Sequence, residues 1–442
     1  MRIALIAMSG IRACDQELMR LGLTLPGFVE RSKVIASLPS LGLLTLAGMT
    51  PEHHEVHYFE VPDIRSLTSL PAPFDLVGIS SYSAQIGEAY ELGDRFRLEG
   101  VPVVLGGPHV SVLPDEAGVH GDAVVIGHGE LQWKRVLADA EAGSLRPAYG
   151  SREDDYDLAR APLPAYELLD MERYNRLTVQ TSRGCPHRCT FCAGSILFGT
   201  RYRQKPAANV LAEIDKILGL WKHPFIELAD DNSFVNRDYW LDLLPELARR
   251  RIRWFTETDI SIGEDDTILD LLAESGCAEV LIGLESPVPD GLSGVETRSN
   301  WKLKHVDRYR EALRNIQEHG IRVNGCFVLG LDGHGPDIFD RVREFVREAD
   351  LFDVQITVLT PFPGTPLYAR LRDENRLTHP GAWERCTLFD VNFQPSGMSV
   401  SELEIGFRSL ALDLYSTEWT TSRRNRFHAR LRAHRKEKEA AS

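Results

Sequence analysis

The stretch TSRGCPHRCTFCAG (181–194) holds three of the seven cysteines of the chain, Cys185, Cys189 and Cys192, in the spacing Cys-x3-Cys-x2-Cys. It overlaps the end of the apolar run LTVQTS (177–182), which we interpret as a buried strand. Three thiolates on one tight loop can bind three irons of a cubane iron–sulfur cluster, whereas four would close it. The remaining iron can then chelate a small molecule and pass it an electron.

A structural zinc site is the main alternative for this loop. Such sites use four ligands in paired groups, and the sequence has no second Cys-x2-Cys. His187 lies inside the same loop and is poorly placed to complete a tetrahedron. The pattern therefore favours a cluster over zinc and over a chance grouping of cysteines. Of the other cysteines, we interpret Cys14, Cys277 and Cys326 as small core residues, and Cys386 is uninformative.

The cysteine loop opens an alternation of strand and helix patterns that we assign to residues 176–370. The later candidate strands are PFIELAD (224–230), IRWFTETD (252–259), AEVLIGLES (278–286), IRVNGCFVLG (321–330) and DVQITVLTP (353–361). Six βα units predict a partial or full β/α barrel, which carries its chemistry on the loops after its strands. Gly276 and Gly320 stand where helix C-caps belong.

Residues 1–145 contain an earlier alternation of the same kind. Its candidate strands are RIALIA (2–7), EVHYFEV (55–61), DLVGISS (75–81), VPVVLGG (101–107) and DAVVIGHGE (122–130). Apolar runs of this kind are typical of parallel strands, so we predict a doubly wound, Rossmann-like sheet that binds ligands at its carboxyl ends. Small residues stand at those ends, namely Ser80, Ser81, Gly106, Gly107, Gly127 and Gly129. No G-x-G-x-x-G pattern follows the first strand, which argues against a dinucleotide.

Two further regions complete an α/β fold. Residues 146–175 hold Pro162, Pro164 and several acidic residues, and we interpret them as a linker. Residues 371–442 are predicted to be a short helical region with a basic tail, which we interpret as a solvated helix or a frayed end.

Composition narrows the class of function. The formal net charge of −14 argues against nucleic acid as the main partner, because phosphate binding requires a basic surface. No apolar run approaches the ~20 residues that a membrane span needs. The N-terminus MRIALIAMSG is better interpreted as a first strand than as a signal peptide. An odd number of cysteines with one tight cluster favours a reducing compartment, and we expect a cytosolic protein.

The cysteine spacing, with Phe191 directly before the last cysteine, resembles the signature of the radical S-adenosylmethionine (SAM) superfamily. Later segments resemble that superfamily in the same order: LADDN (228–232), GLES (283–286), GCFVLG (325–330) and TPFPGTPLY (360–368). The resemblance implies a [4Fe-4S] cluster on the three cysteines. It also implies SAM contacts by Phe191, Asp230, Asp231, Glu285, Ser286 and Gly330. As alternatives, Asp230 and Asp231 could cap a helix and Glu285 could pair with an arginine.

The order of domains resembles the radical SAM proteins with an N-terminal cobalamin-binding domain, which are similar to class B radical SAM methyltransferases. The segments that carry this likeness are PSLGLLTLA (39–47), DLVGISSYS (75–83), VLGGPHVSVLPDEA (104–117) and VVIGHGE (124–130). The resemblance implies cobalamin contacts by Ser80, Ser81, Gly106, Gly107, Gly127, Gly129 and Glu130. The Asp-x-His-x-x-Gly motif is absent, so cobalt would lack that histidine ligand. A sheet that binds another ligand, or that only shapes the active site, is the alternative.

The resemblance implies an enzyme that methylates an unactivated carbon of a small metabolite. A 5′-deoxyadenosyl radical from SAM would abstract hydrogen, cobalamin would carry the methyl group, and flavodoxin or ferredoxin would supply electrons. A radical rearrangement or cyclisation with the same cofactors is a second hypothesis. A non-catalytic cobalamin- or metal-binding regulator is the third.

Overall fold

The computed structural model describes residues 1–10, 13–14, 18, 38–67, 73–194 and 201–441. Two parallel sheets of six strands form the body of the described chain, and helices pack against both. A short antiparallel ribbon joins Ser182–Arg183 to Arg203–Gln204 beside the second sheet. The predicted α/β class is confirmed.

The first sheet has the order β2-β1-β3-β4-β5-β6. Its strands are β1 (Arg2–Met8), β2 (Glu55–Val61), β3 (Leu76–Ser80), β4 (Val103–Gly106), β5 (Ala123–Val125) and β6 (Ala148–Tyr149). The helices among them are α1 (Leu41–Gly48), α2 (Ile86–Leu98), α3 (Pro108–Val112), α4 (Pro114–Ala117) and α5 (Gly129–Glu141). Alternate residues of β1 enter two different cores, which explains its unbroken apolar run. The strand order reverses at β1, where an open sheet leaves a crevice for a ligand.

Two regions differ from the sequence-based prediction. β5 ends at Val125, and Gly129 and Glu130 begin α5 instead of continuing the strand to residue 130. In the segment interpreted as a linker, β6 pairs with β5. Tyr166, in the same segment, is fully buried and donates a hydrogen bond to the carbonyl of Thr178 at 2.8 Å. Residues 146–175 therefore pack on both sheets and are not a loose spacer.

The second sheet has the order β7-β10-β11-β12-β13-β14 and is parallel throughout. Its strands are β7 (Leu177–Val179), β10 (Phe225–Leu228), β11 (Arg253–Thr258), β12 (Cys277–Glu285), β13 (Arg322–Leu329) and β14 (Asp353–Val358), and the ribbon supplies β8 and β9. β7 and β14 are its two edges, so the sheet is an open, partial barrel.

The larger helices that follow these strands are α6 (Ala207–Leu220), α7 (Arg237–Arg250), α8 (Asp266–Glu274), α9 (Pro289–Leu292), α10 (Trp301–His305), α11 (Tyr309–Glu318), α12 (Ile338–Glu348) and α13 (Pro366–Asp373). Gly276 and Gly320 adopt φ values of 86° and 87° just after α8 and α11, as expected for helix C-caps.

The chain continues through α14 (Val400–Leu414) and α15 (Thr417–Ala441). The interpretation of the basic tail as a solvated helix is wrong for Arg423, which is fully buried. Arg423 donates a hydrogen bond to the carbonyl of Leu414 at 2.8 Å and lies 3.6 Å from Asp353. Arg426 pairs with Asp350 at 2.7 Å. The first turns of α15 are therefore anchored to β14. None of the helices described is both long and apolar enough to cross a membrane.

Candidate active site

The three predicted cluster ligands lie together on the loop that follows β8. None of the seven cysteines, all of which the structure describes, forms a disulfide, and Cys185, Cys189 and Cys192 are each partly exposed. Burial, with a smaller effect of neighbouring thiols, raises the pKa of Cys185 to about 11 and that of Cys189 to about 12. A metal must displace these protons, as it does at thiolate sites in general.

Backbone hydrogen bonds hold this loop against two later parts of the barrel. The amide of Thr190 donates to Val295 at 2.8 Å, and the amide of Leu367, in α13, donates to the carbonyl of Thr190 at 3.0 Å. Cys189 forms an isolated antiparallel bridge with Glu296. The ligands are therefore fixed by the loop after β12 and by the helix after β14. The segment TPFPGTPLY, singled out from the sequence, contributes through Leu367 to this support.

Asp230 and Asp231 accept hydrogen bonds from the backbone that leads into the same loop. Asp230 is buried and accepts hydrogen bonds from the amides of Thr181 and Ser182 at 2.7 and 2.9 Å. Its other oxygen accepts from the hydroxyls of Thr181 and Ser233. Asp231 accepts from the amide of Gly184 at 3.0 Å. We therefore propose Asp230 as a positioning residue for the cysteine loop, with Asp231 closer to the site.

One group of side chains in the described parts of the chain brings three possible metal-binding atoms within 4.8 Å of one another. It consists of His53, His54 and Glu141 and does not include the cysteines. The preference for a cluster over zinc at the cysteine loop therefore rests on the number and spacing of its three cysteines.

Glu285 ends β12 and faces a buried lysine. Its φ of 62° and a register shift between Gly283 and Glu285 turn the carboxylate out of the strand. Lys302 donates to Glu285 at 2.5 Å and to the carbonyl of Gly283 at 2.6 Å. Burial opposes the charge of Lys302, but Glu285 and Cys189 raise its pKa above the usual range. Glu285 thus has a lysine partner rather than an arginine, and Lys302 places a cation beside a cluster ligand.

The other predicted SAM contacts lie in two different settings. Ser286 is buried and its hydroxyl lies 2.9 Å from Nε2 of His334. Phe191 packs against the large core of the barrel. Gly330 has a φ of 91°, and a Cβ there would lie 2.8 Å from Leu403 of α14. Gly330 therefore makes room for α14, and its contact with SAM stays a prediction.

Of the remaining cysteines, Cys277 is buried in the core as expected. The same expectation is wrong for Cys14 and Cys326. Cys14 is exposed, and its amide donates to Asp390. Cys326 is partly exposed, and Glu257, Glu285 and Lys302 are among the charged groups that act on its thiol.

A cavity of about 660 Å³ lies between the two sheets. The first sheet contributes strand-end residues, among them Met8, Ser80, Ser81, Gly107, Gly127 and Glu130. The barrel contributes interior residues, among them Gln180, Glu227, Phe255, Glu257, Leu281 and Gln355. Five of the seven predicted cobalamin contacts thus line the cavity, whereas Gly106 and Gly129 are not among its lining residues.

The wall of the cavity on the side of the first sheet is made of small residues, which we call the small-residue cradle. They are Ser80, Ser81, Gly107, Ser111 and Gly127. Gly107 has a φ of 97°, and a Cβ there would lie 2.7 Å from the Ser80 hydroxyl. The hydroxyl of Ser111 donates to the carbonyl of Gly107 at 2.9 Å and accepts from the amide of Gly127 at 3.0 Å. Ser111, missed from the sequence, ties the two glycine turns together. A wall of this kind fits a narrow group lying against backbone, as the nucleotide tail of cobalamin would.

An ion pair spans the cavity. Arg183, which ends β8, donates to Glu130 of α5 at 2.5 Å and lies 3.1 Å from Nδ1 of His128. Burial works against the charge of Glu130, but Arg183 lowers its pKa overall. Glu130, predicted to contact cobalamin, is therefore already engaged by the strand that leads into the cysteine loop.

Models of known families match three parts of the chain. The radical SAM superfamily matches residues 179–346, a B12 binding domain matches 31–137, and a domain of unknown function (DUF4070) matches 365–442. The first two matches contain the cysteine loop and the small-residue cradle, respectively. The fold and the site thus define an enzyme of the radical SAM superfamily.

Similar proteins indicate which group of enzymes within the superfamily the chain belongs to. The chain is 27% identical over 389 residues to bacteriochlorophyllide d C-12(1)-methyltransferase of Chlorobaculum tepidum, covering 86% of this chain and 83% of the relative. It is 29% identical over 364 residues to hopanoid C-2 methylase of Rhodopseudomonas palustris, covering 78% and 66%. Its fold is similar to that of the radical SAM methyltransferase TsrM of Kitasatospora setae, with a TM-score of 0.67, 18% identity and full coverage of both chains. Within the superfamily, the chain belongs to the enzymes with an N-terminal cobalamin-binding domain, whose cofactors are a [4Fe-4S] cluster, SAM and cobalamin.

Proposed function

We propose that this enzyme transfers a methyl group to an unactivated carbon of a small molecule that binds in the cavity between the two sheets. The observation that carries the proposal is that this single cavity is lined both by the small-residue cradle and by the barrel interior. A substrate there would lie beside the small-residue cradle, and Arg183 in the same wall is the last residue of the strand that leads into the cysteine loop. The names of the two methyltransferase relatives support methyl transfer over the other radical outcomes.

The proposed cofactors would be held by residues of known position. Cys185, Cys189 and Cys192 would hold the cluster, Asp231, Glu285 and Ser286 would face SAM, and Ser80, Ser81, Gly107 and Gly127 would face cobalamin. When bound, the cluster and SAM supply a hydrogen-abstracting radical, and cobalamin supplies the methyl group.

The protein's own residues position these groups and exclude water. Asp230 orders the base of the cysteine loop through four hydrogen bonds. Lys302 neutralises Glu285 next to Cys189, and Arg183 joins the loop to the opposite wall. A cavity set between two packed sheets suits radical chemistry, because it limits the access of water to a reactive centre.

We also propose a cytosolic setting with a reducing partner such as flavodoxin or ferredoxin. Seven cysteines that form no disulfide suit a reducing compartment. The net charge of −14 favours a small-molecule substrate over nucleic acid.

The test is anaerobic reconstitution with iron and sulfide, recorded as an absorption spectrum with and without hydroxocobalamin. The reduced holoenzyme is then incubated with SAM and with candidate small molecules. Methyl transfer predicts that 5′-deoxyadenosine and S-adenosylhomocysteine both form and that the product gains a methyl group. A product of unchanged methyl count would favour rearrangement or cyclisation. SAM cleavage by Cys185→Ala at the normal rate would refute the cluster assignment.

A further inference from the structure

Most charged groups in the wall of the cavity are paired. Arg176 donates to Glu227 at 2.5 Å, and Arg183 donates to Glu130 at the same distance. Lys205, also in the wall, donates to the buried carboxylate of Glu213 at 2.5 Å. These three basic residues therefore have their charge compensated by the protein itself.

Glu257 is the exception. It stands near the end of β11 and lines the cavity, where its side chain is exposed although it lies well inside the protein. It makes no hydrogen bond or ion pair with any residue in the described ranges. A carboxylate enclosed in this way is costly unless a partner of opposite charge compensates it.

The groups that act most strongly on Glu257 are other acids. Enclosure in the cavity and then the carboxylates of Glu227, Asp231, Asp230 and Glu285 raise its pKa to about 8. Glu227 and Glu285 already have their own cations, and none of the major influences on Glu257 is a cation. The acids of this part of the wall therefore keep Glu257 largely protonated at neutral pH, and a cation bound beside it would take the place of that proton.

The position of Glu257 separates it from the cysteine loop. Asp259, two residues later, lies 3.2 Å from His187 of that loop. A strand rises about 3.3 Å per residue, so Glu257 lies roughly 7 Å deeper in the barrel. There it has the apolar side chains of Phe255 and Leu281 as fellow lining residues. This places the carboxylate where the body of a substrate would lie.

We propose that Glu257 is a substrate-binding residue that takes a cationic nitrogen, such as a primary ammonium group, on an otherwise apolar molecule. The inference rests on the proposed function, because it assigns the cavity to the substrate. An ammonium group supplies both the missing charge and the missing hydrogen-bond donors, while Phe255 and Leu281 suit its hydrocarbon part.

The test compares two probes of similar shape and opposite charge, phenethylamine and phenylacetate. Their affinities for the reconstituted holoenzyme are measured by titration calorimetry, which needs no turnover. We expect the amine to bind at least tenfold more tightly than the acid. Glu257→Gln is expected to lose that tenfold preference, and Glu257→Asp to keep part of it. Glu274→Gln, which changes an exposed carboxylate at the end of α8, is the matched control and should behave as the wild type.

Three results would overturn the inference. The first is equal affinity of Glu257→Gln and wild type for the amine, and the second is no preference in the wild type. The third is a tenfold loss of SAM affinity in Glu257→Gln with amine binding unchanged, which would assign the carboxylate to SAM. Formation of 5′-deoxyadenosine and S-adenosylhomocysteine is followed separately, so failure of the methyltransferase proposal is distinguishable from failure of this one.

Discussion

Nη2 of Arg183 lies 2.5 Å from Oε1 of Glu130, so the strand that enters the cysteine loop is joined to the first sheet across the cavity. Both side chains are nearly buried, with exposed fractions of 12% and 8%. The guanidinium also lies over the ring of Tyr156 at 5.5 Å and donates to Gln180 at 2.6 Å. A planar guanidinium that binds several partners at once holds them in one fixed arrangement relative to each other.

We predict that Arg183→Ala weakens the binding of hydroxocobalamin about tenfold and lowers the melting temperature. The substitution leaves the carboxylate of Glu130 without its cation, and breaking a buried pair costs about 3–5 kcal/mol. Absorption titration and thermal unfolding measure the two effects. Arg201→Ala removes an exposed arginine paired with Asp155 and serves as the control. Unchanged cobalamin affinity in Arg183→Ala would contradict the role.

A second prediction concerns Lys302, which we expect to be essential for iron content. Lys302→Met leaves Glu285 charged and buried beside Cys189, at a cost of about 3 kcal/mol or more. The reconstituted variant should hold less iron per chain and unfold at a lower temperature. Lys304→Met, two residues along the same helix and exposed, is the control. A Lys302→Met protein with full iron content and normal stability would argue against it.

The sequence predicts the local features of this protein well and the pairings across space poorly. Short stretches of sequence are enough to recognise three cysteines on one loop, apolar strands and glycines after helices. The two sheets and the helix caps are therefore predictable. The partners of Glu285 and Glu130 are Lys302 and Arg183, 17 and 53 residues away, and no local pattern points to them.

The two misassigned regions have different causes. The apolar run 122–130 is typical of a long strand, but Gly127 adopts a φ of 75° and turns the chain into α5, which is a local effect. The basic tail is typical of a solvated helix, yet Asp350 and Asp353 supply partners for Arg426 and Arg423. In the second case the decisive contacts come from a distant part of the sequence.

A third prediction tests the small-residue cradle. Gly107→Ala should reduce cobalamin affinity at least tenfold, because the new methyl group would lie 2.7 Å from the Ser80 hydroxyl in the wall of the cavity. Gly100→Ala is a matched control: its φ of 77° is also left-handed, but nothing lies within 4 Å of the added Cβ. Gly107 has a ψ of −174°, a conformation that essentially only glycine adopts, so Gly107→Ala adds backbone strain to the contact, and the melting temperatures of both variants are recorded to separate the two effects. Equal loss of hydroxocobalamin binding in the two would show that strain, and not the cradle, is responsible.

The last prediction concerns the pH dependence of stability through His334. This side chain is 2% exposed, and burial lowers its pKa to about 4, while Asp337 raises it slightly. Its contact with Ser286 suits the neutral ring. Because the pKa in the folded chain lies below the value of 6.5 for an exposed histidine, the fold is favoured fully above pH 6.5. Stability is then lost as the pH falls from 6.5 to 4, by up to about 3 kcal/mol.

Thermal unfolding between pH 4 and 7 should show a shallower decline for His334→Gln than for wild type. His379→Gln changes an exposed histidine and should keep the wild-type slope. Identical slopes for all three proteins would mean that the pKa of His334 is the same in the folded and the unfolded chain, which would contradict the effect of burial.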